Sequence, residues 1–163
     1  MRRLAPLAIA AVSLALAGCG FQPLYGQAGV ASGLSAVEVH APEGRTGHLI
    51  REHLDDALAS RPGTPAAYRM DLALSEVRYP RGLRVDNVAT RYEYVLTADY
   101  TLRALPSMAP VKNGRARITL TYDSADQPYA SIAAQQDAQD RAAQEAARRI
   151  QLELAAWLAS QRG

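Results

Sequence analysis

Cys19 is the residue of this sequence best suited to covalent chemistry, because its thiolate is a strong nucleophile. It is the only cysteine among 163 residues, so it forms no disulfide within the chain. An unpaired thiol is unusual in a secreted protein, where thiols are oxidised. The residues before it are Leu16, Ala17 and Gly18, and the two small side chains leave the backbone accessible to a peptidase. We therefore expect Cys19 to be modified.

The segment before Cys19 has the composition of an export signal. Arg2 and Arg3 follow the first methionine, and an apolar run extends to Leu16. A basic start, a short apolar region and small residues at a cleavage point define a secretory signal peptide. The run is shorter than the roughly 20 residues of a transmembrane helix.

Leucine, two small residues and cysteine also resemble a bacterial lipobox. In that motif the thiol takes a diacylglyceryl group, the chain is cut before the cysteine, and the new amine is acylated, with palmitate as the expected group. The sequence therefore predicts a cleaved signal peptide at residues 1–18 and lipidation at Cys19. The alternative is a plain signal peptide with an incidental cysteine.

Four arginines form a second group with chemistry of its own. Arg78, Arg81 and Arg84 fall within seven residues that contain no acid, in the predicted connection after the second strand. Arg91 lies near the start of the third strand. A planar guanidinium binds phosphate through two parallel hydrogen bonds. The four residues are a candidate anion site, and the alternative is a turn kept polar by ordinary surface arginines.

The remaining polar residues form no catalytic signature. His48 and His53 are five residues apart on a predicted helix, about 140° around its axis, so they cannot share a metal as a four-residue spacing would allow. His40 stands alone on a predicted strand. The sequence has no Gly-x-Ser-x-Gly elbow and no glycine-rich phosphate loop. We therefore predict a protein that is not an enzyme and that uses no metal and no cofactor.

The chain that remains after cleavage, residues 19–163, is close to electrically neutral. Loss of Arg2 and Arg3 from the 18 basic residues leaves 16, against 16 acidic residues. A nucleic-acid partner would need a basic surface, and net charge gives no support for one. The composition of residues 27–35, rich in glycine, alanine and serine, predicts a flexible tether. The predicted organisation is a lipidated N-terminus and tether at residues 19–35, followed by a single domain at residues 36–163.

Alternation of apolar and polar residues predicts four strands in that domain. They lie at residues 36–40, from residue 68 to about 79, at residues 88–104 and at residues 116–122. In the second strand a slip of phase predicts a bulge that turns Val77 and Tyr79 inward. In the third strand, the face that carries Leu96 is predicted to be buried, and the face that carries Thr97 is predicted to be exposed to solvent.

A period near 3.6 residues predicts two helices. One begins at Thr46, its predicted N-cap, and the other runs from about residue 129 to 160. The order β-α-β-β-β-α predicts an α+β fold in which two helices pack on one face of a four-stranded, mostly antiparallel sheet.

The order of these elements and several short motifs resemble the lipopolysaccharide-assembly lipoprotein family, LptE, in its alphaproteobacterial form. The most specific motif is Cys19-Gly20-Phe21-Gln22-Pro23-Leu24-Tyr25-Gly26, directly after the lipobox. Looser matches are Arg91-Tyr92-Glu93-Tyr94, Tyr122-Asp123, Tyr129-Ala130 and Ile150-Gln151-Leu152-Glu153-Leu154. The resemblance covers essentially the whole chain.

The resemblance implies a lipid-anchored protein on the periplasmic side of the outer membrane that plugs the β-barrel LptD, helps it assemble, and assists lipopolysaccharide insertion. Gly20 agrees with that location, because aspartate at this place is read as an inner-membrane retention signal. The family's basic lipopolysaccharide contacts would fall on Arg81 and Arg84, whereas residues 132–140 carry no basic residue for a second contact. The alternative function is a stand-alone periplasmic lipid carrier or transport-auxiliary lipoprotein with an apolar pocket and no barrel partner.

Overall fold

The computed structural model describes residues 29–60, 63–83, 89–124 and 127–161 of the chain. Cys19 and Arg84 lie outside these residues. Within them the chain forms three helices and four strands. In chain order these are α1 (Val30–Ser35), β1 (Val37–His40), α2 (Arg45–Ala57), β2 (Tyr68–Leu83), β3 (Ala89–Ala104), β4 (Ala109–Asp123) and α3 (Pro128–Ser160).

The four strands form one sheet in the order β1-β2-β3-β4. β1 pairs in parallel with β2, and the other two pairings are antiparallel. β2 and β3 have 16 residues each and form a hairpin about 50 Å long at roughly 3.3 Å per residue. The 33 residues of α3 span the same length, about 50 Å at 1.5 Å per residue. The predicted mostly antiparallel α+β sheet is confirmed.

Helices α2 and α3 pack on one face of the sheet, as predicted. The inward face of β3 carries the alternating residues Tyr94, Leu96, Ala98, Tyr100 and Leu102, all at most 2% exposed. From α3, five buried alanines let the helix axis approach the strands closely before larger residues fill the far end of the core. Those alanines are Ala138, Ala142, Ala143, Ala146 and Ala147. Within the described residues, no helix combines the length and the apolar character needed to cross a membrane.

The bulge predicted in β2 is absent, and Val77 and Tyr79 face outward. The register between β2 and β3 runs without a shift from Tyr68 to Arg81. Continuous alternation therefore leaves Val77 and Tyr79 on the face without helices, 40% and 43% exposed. The inward positions at this end belong to polar residues, Glu76 and Arg78, which find hydrogen-bond partners in β3 and α3.

Residues 30–35, predicted as part of a flexible tether, form helix α1 instead. Its Val30 and Leu34 are buried in the core, which explains why this glycine- and serine-rich stretch is ordered. A Cβ atom added to Gly33 would lie 2.9 Å from Leu158, so the small residue lets α1 rest on the last turns of α3. Thr46 is also not the N-cap of α2, since Gly44 holds that position and Thr46 is buried in the first turn.

Candidate functional site at the end of the hairpin

Three of the four arginines predicted as an anion site lie in strands of the β2–β3 hairpin rather than in a loop, and the fourth, Arg84, lies outside the described residues. Arg78 and Arg81 belong to β2, and Arg91 belongs to β3. Arg81 and Arg91 are cross-strand partners, so their side chains share the face without helices. Arg78 is three residues from Arg81 and therefore points to the helix-covered face. The predicted cluster is divided between the two faces of the sheet.

Arg78 lies on an aromatic platform. Its guanidinium carbon is 6.0 Å from the centre of the Tyr92 ring, and Tyr92 stacks on Tyr122 with 5.6 Å between ring centres. An arginine over a tyrosine face is attracted by the negative π-surface. Its Nη1 also donates a hydrogen bond to the side-chain oxygen of Gln135 on α3. The cation is therefore fixed between the sheet and the first turns of the long helix.

Arg81 and Arg91 each have a carboxylate beside them. Nη2 of Arg81 donates to Oε2 of Glu93 at 3.2 Å, and Nε of Arg91 donates to Oδ1 of Asp123 at 2.7 Å. That hydrogen bond to Asp123 raises the pKa of Arg91 above its ordinary value. The run from Arg78 to Arg84 contains no acid, but the expectation that its arginines are not neutralised is wrong for Arg81, because Glu93 comes from the neighbouring strand. A guanidinium has five N–H donors, so a single carboxylate leaves others for a phosphate.

Most of the face that carries Arg81 and Arg91 is polar. Towards the other end of the hairpin, Asp71 accepts hydrogen bonds from Arg69 at 2.8 Å and from Arg103 at 3.2 Å, and these bonds lower its pKa. Arg115 pairs with Asp99 across β3 and β4 at 2.5 Å. Further polar residues on this face are Ser75, Thr97, Thr101, Arg117, Thr119 and Thr121. We call this surface the open face.

Val95 is the buried apolar residue of the open face. It is 2% exposed although it points away from the helices, because it lies between its cross-strand partners Val77 and Thr119 on the central strand. With exposed Val77 and Tyr79 it makes a small apolar strip beside the arginines. Arg81 extends this strip, since its guanidinium carbon lies 5.8 Å from the centre of the Tyr79 ring.

Two buried tyrosines join polar groups across the core, and sequence reasoning did not predict their partners. The hydroxyl of Tyr94 donates to Glu76 at 2.6 Å, and that of Tyr100 donates to Glu153 at 2.7 Å. Burial and the carboxylate partners raise the pKa of both phenols, so both remain donors. The ring of Tyr100 passes over Gly114, where a Cβ atom would lie 2.5 Å from it. Tyr94 and Tyr100 thus serve the core, where each ring is buried and each hydroxyl has a hydrogen-bond partner.

The histidines lie apart from one another in the structure. Nε2 of His53 is 2.9 Å from Asp140 and joins α2 to α3, whereas His48 lies 3.8 Å from Glu52 on its own helix. His40 is 3.0 Å from Glu38 on β1. In the described part of the chain, no three side chains of His, Cys, Asp or Glu come together as metal ligands.

A match to a protein-family model establishes the family to which this chain belongs. The model described as LptE, lipopolysaccharide-assembly, matches residues 34–154, from the end of α1 to the last turns of α3. This chain belongs to the LptE family. The predicted resemblance to this family is thereby confirmed over residues 34–154, and the protein is a lipopolysaccharide-assembly lipoprotein of the cell envelope.

Solved structures agree with membership of the LptE family. A proposed lipoprotein from Caulobacter crescentus has 58% sequence identity and a TM-score of 0.72, covering 82% of this chain and 98% of its own. Two more distant structures share the fold. Rare lipoprotein B from Shewanella oneidensis has 16% identity, a TM-score of 0.59, and coverage of 78% of this chain and 97% of its own. Lipoprotein B from Nitrosomonas europaea has 15% identity, a TM-score of 0.57, and coverage of 76% and 83%. No curated protein matches the chain.

Proposed function

We propose that this LptE-family protein is anchored through Cys19 at the periplasmic side of the outer membrane, fills the lumen of the LptD barrel, helps that barrel assemble, and assists lipopolysaccharide insertion into the outer leaflet. The observation that carries the proposal is the open face. It is a long, mostly polar sheet surface that contains cross-strand ion pairs such as Arg115–Asp99 and Arg91–Asp123. The interior wall of a membrane β-barrel is polar in the same way.

The dimensions of the fold support the same role. The hairpin and α3 are each about 50 Å long, which exceeds the roughly 30 Å of a bilayer's hydrocarbon core. Four strands at roughly 4.8 Å spacing and one helix layer at about 10 Å make a narrow rod. Barrels of 22 strands hold a plug in their lumen. A rod of this length and width therefore fits the interior of a very large barrel.

A stand-alone lipid carrier would instead need a closed apolar cavity. A groove of about 720 Å³ beside β1 is lined by the polar side chains of Glu38, Arg51 and Asp55 as well as by small apolar residues. Its polar lining suits acyl chains poorly, because burying a charged group against hydrocarbon is costly. The structure therefore favours the plug over the carrier.

Affinity purification from solubilised outer membranes tests the plug. The tagged chain is expected to co-purify with one large barrel protein in equimolar amount. Thr97→Trp places a bulky group at the centre of the open face and should reduce that recovery, whereas Glu52→Trp on the exposed side of α2 is the matched control and should leave it unchanged. Recovery without a barrel would support the carrier, and equal recovery of both variants would overturn the assignment of the open face to the barrel wall.

We further propose that Arg78, Arg81, Arg84 and Arg91 contact the phosphates of lipopolysaccharide. Arg81 and Arg91 lie side by side near the apolar strip of Val77 and Tyr79, which pairs cationic with apolar groups as a phosphorylated lipid requires. Arg78 presents a further cation on the other face of the same hairpin end. Guanidinium groups therefore lie on both faces of this end of the hairpin.

Replacing Arg81 and Arg91 together by alanine is expected to lower the affinity for purified lipopolysaccharide by about tenfold or more, because charge-assisted bonds are lost and two carboxylates are left unpaired. The matched control is Arg69→Ala with Arg115→Ala, which removes two ion-paired arginines from the far end of the same face. Binding and thermal melts are measured for both pairs. If both double variants had the same affinity for lipopolysaccharide and the same melting temperature, Arg81 and Arg91 would be ordinary surface residues without a role in lipopolysaccharide binding.

A further inference from the structure

Strand β4 is a sheet edge in the described part of the chain, and its free backbone groups can be assigned. Ser124 donates its backbone N–H to the carbonyl of Thr90 at 2.9 Å, so the even-numbered residues of β4 bond to β3. Alternate residues of an antiparallel edge strand point their N–H and C=O groups outward. Arg117, Thr119 and Thr121 therefore direct backbone donors and acceptors away from the sheet.

A groove of about 540 Å³ runs along this edge, beneath the side of α3. Its floor is formed by Ile118, Thr119 and Leu120. Its wall is one stripe of the helix at spacings of three and four, made of Arg141, Gln144, Glu145, Arg148 and Arg149. A strand added to β4 would lie about 4.8 Å from it and would fill this groove.

A helix side chain already binds one of the outward groups. Nη1 of Arg149 donates to the backbone carbonyl of Arg117 at 3.1 Å. The contact shows that the wall of the groove reaches the edge, so a segment on β4 would lie within reach of the arginines of α3.

The groove has an excess of positive charge. Arg141 pairs with Asp137 at 2.8 Å and Arg149 pairs with Glu145 at 3.2 Å, each within α3. Arg148 in the wall has no ion-pair partner among the described residues. If two copies paired antiparallel through β4, their α3 stripes, each with this excess of positive charge, would lie on the same face of the joined sheet and repel one another. The edge therefore disfavours a second copy and favours an acidic occupant.

We propose that the edge of β4 binds an extended, acidic segment of a partner protein as a fifth strand. Backbone hydrogen bonds to Thr119 and Thr121 supply the affinity, and carboxylates on the side that faces α3 pair with Arg148 and its neighbours. The extended backbone and the acidic side chains define such a segment, whether or not it belongs to a barrel. Its binding can therefore be measured in the absence of the barrel, separately from the proposed plug function.

The test uses the acylated chain in detergent and a fluorescent ten-residue peptide in which glutamate alternates with threonine, followed by anisotropy. The same peptide with lysine in place of glutamate is the charge control. We expect saturable binding of the glutamate peptide alone. Thr119→Pro removes one outward N–H without touching the β3 ladder and should weaken binding about tenfold.

A charge reversal keeps the test decisive even if the proline variant does not fold. Arg148→Glu should weaken the glutamate peptide several-fold and strengthen the lysine peptide, whereas Arg51→Glu on the exposed side of α2 should change neither. Thermal melts accompany each variant. Absence of binding to the unaltered chain, or equal binding by Arg148→Glu, would overturn the proposal. A dimer in sedimentation that Thr119→Pro dissociates would overturn it in favour of a second copy.

Discussion

Replacement of Cys19 by alanine is expected to abolish the lipid anchor of this protein. Lipidation needs the thiol, so the variant should remain as an uncleaved precursor or appear as a soluble periplasmic form. A single acyl chain gives only marginal membrane binding, whereas two or more anchor a protein stably. No other cysteine in the chain can replace the lost one.

Membrane fractionation and the intact mass of the recovered chain measure the result. Gln22→Ala, three residues after the cysteine, is the matched control and should keep both the anchored fraction and the lipid-bearing mass. A Cys19→Ala variant that matched the unaltered chain in fractionation and in mass would contradict lipidation at this residue. The same fractionation, with outer and inner membranes separated, tests the outer-membrane location that Gly20 indicates.

Leu96→Ala is expected to lower the free energy of unfolding by about 2–5 kcal/mol, the usual cost of removing a large side chain from a filled core. Leu96 is fully buried at the centre of β3, where the sheet is covered by the helices. Thr97→Ala, one residue along the same strand on the open face, is the matched control and should cost far less. Trp157→Ala should fall between them, because Trp157 is only partly buried and packs edge-on against Tyr68 at 5.6 Å.

Chemical denaturation of the three variants checks this order. The slope of the unfolding free energy with denaturant should stay the same, so that a shifted midpoint reports stability alone. If Thr97→Ala proved more destabilising than Leu96→Ala, the open face would have to be covered in the isolated protein, contrary to the structure.

The sequence was sufficient to predict an element of the fold where one physical signal, such as the alternation of apolar and polar residues, dominated. Alternation in β3 predicted its buried face correctly, because a central strand covered on one side has little freedom in register. In β2 the same reasoning failed, since Glu76 and Arg78 occupy inward positions where apolar residues are expected. Their partners, Tyr94 and Gln135, are distant in sequence, so no local pattern identifies them.

The candidate site was predictable in composition but not in geometry. The run from Arg78 to Arg84 stands out in the sequence, yet only the strand register shows that Arg78 and Arg81 lie on opposite faces. The acids beside Arg81 and Arg91 come from β3 and β4, so the neutralising charges could not be recognised from the run itself. Helix α1 was missed for a related reason. Its two buried residues are too few to establish a period in a stretch of small residues.

The packing of α1 on the end of α3 fixes where the chain enters the fold. Gly33 rests against Leu158, whereas Arg78 meets the same helix at Gln135, 23 residues earlier. At 1.5 Å per residue these two points are about 35 Å apart, close to the roughly 30 Å between the two polar surfaces of a bilayer. In the proposed arrangement, a lipid on Cys19 would tie the α1 end of the protein to one leaflet and place Arg78 level with the headgroups of the other, and the length of α3 would set that height.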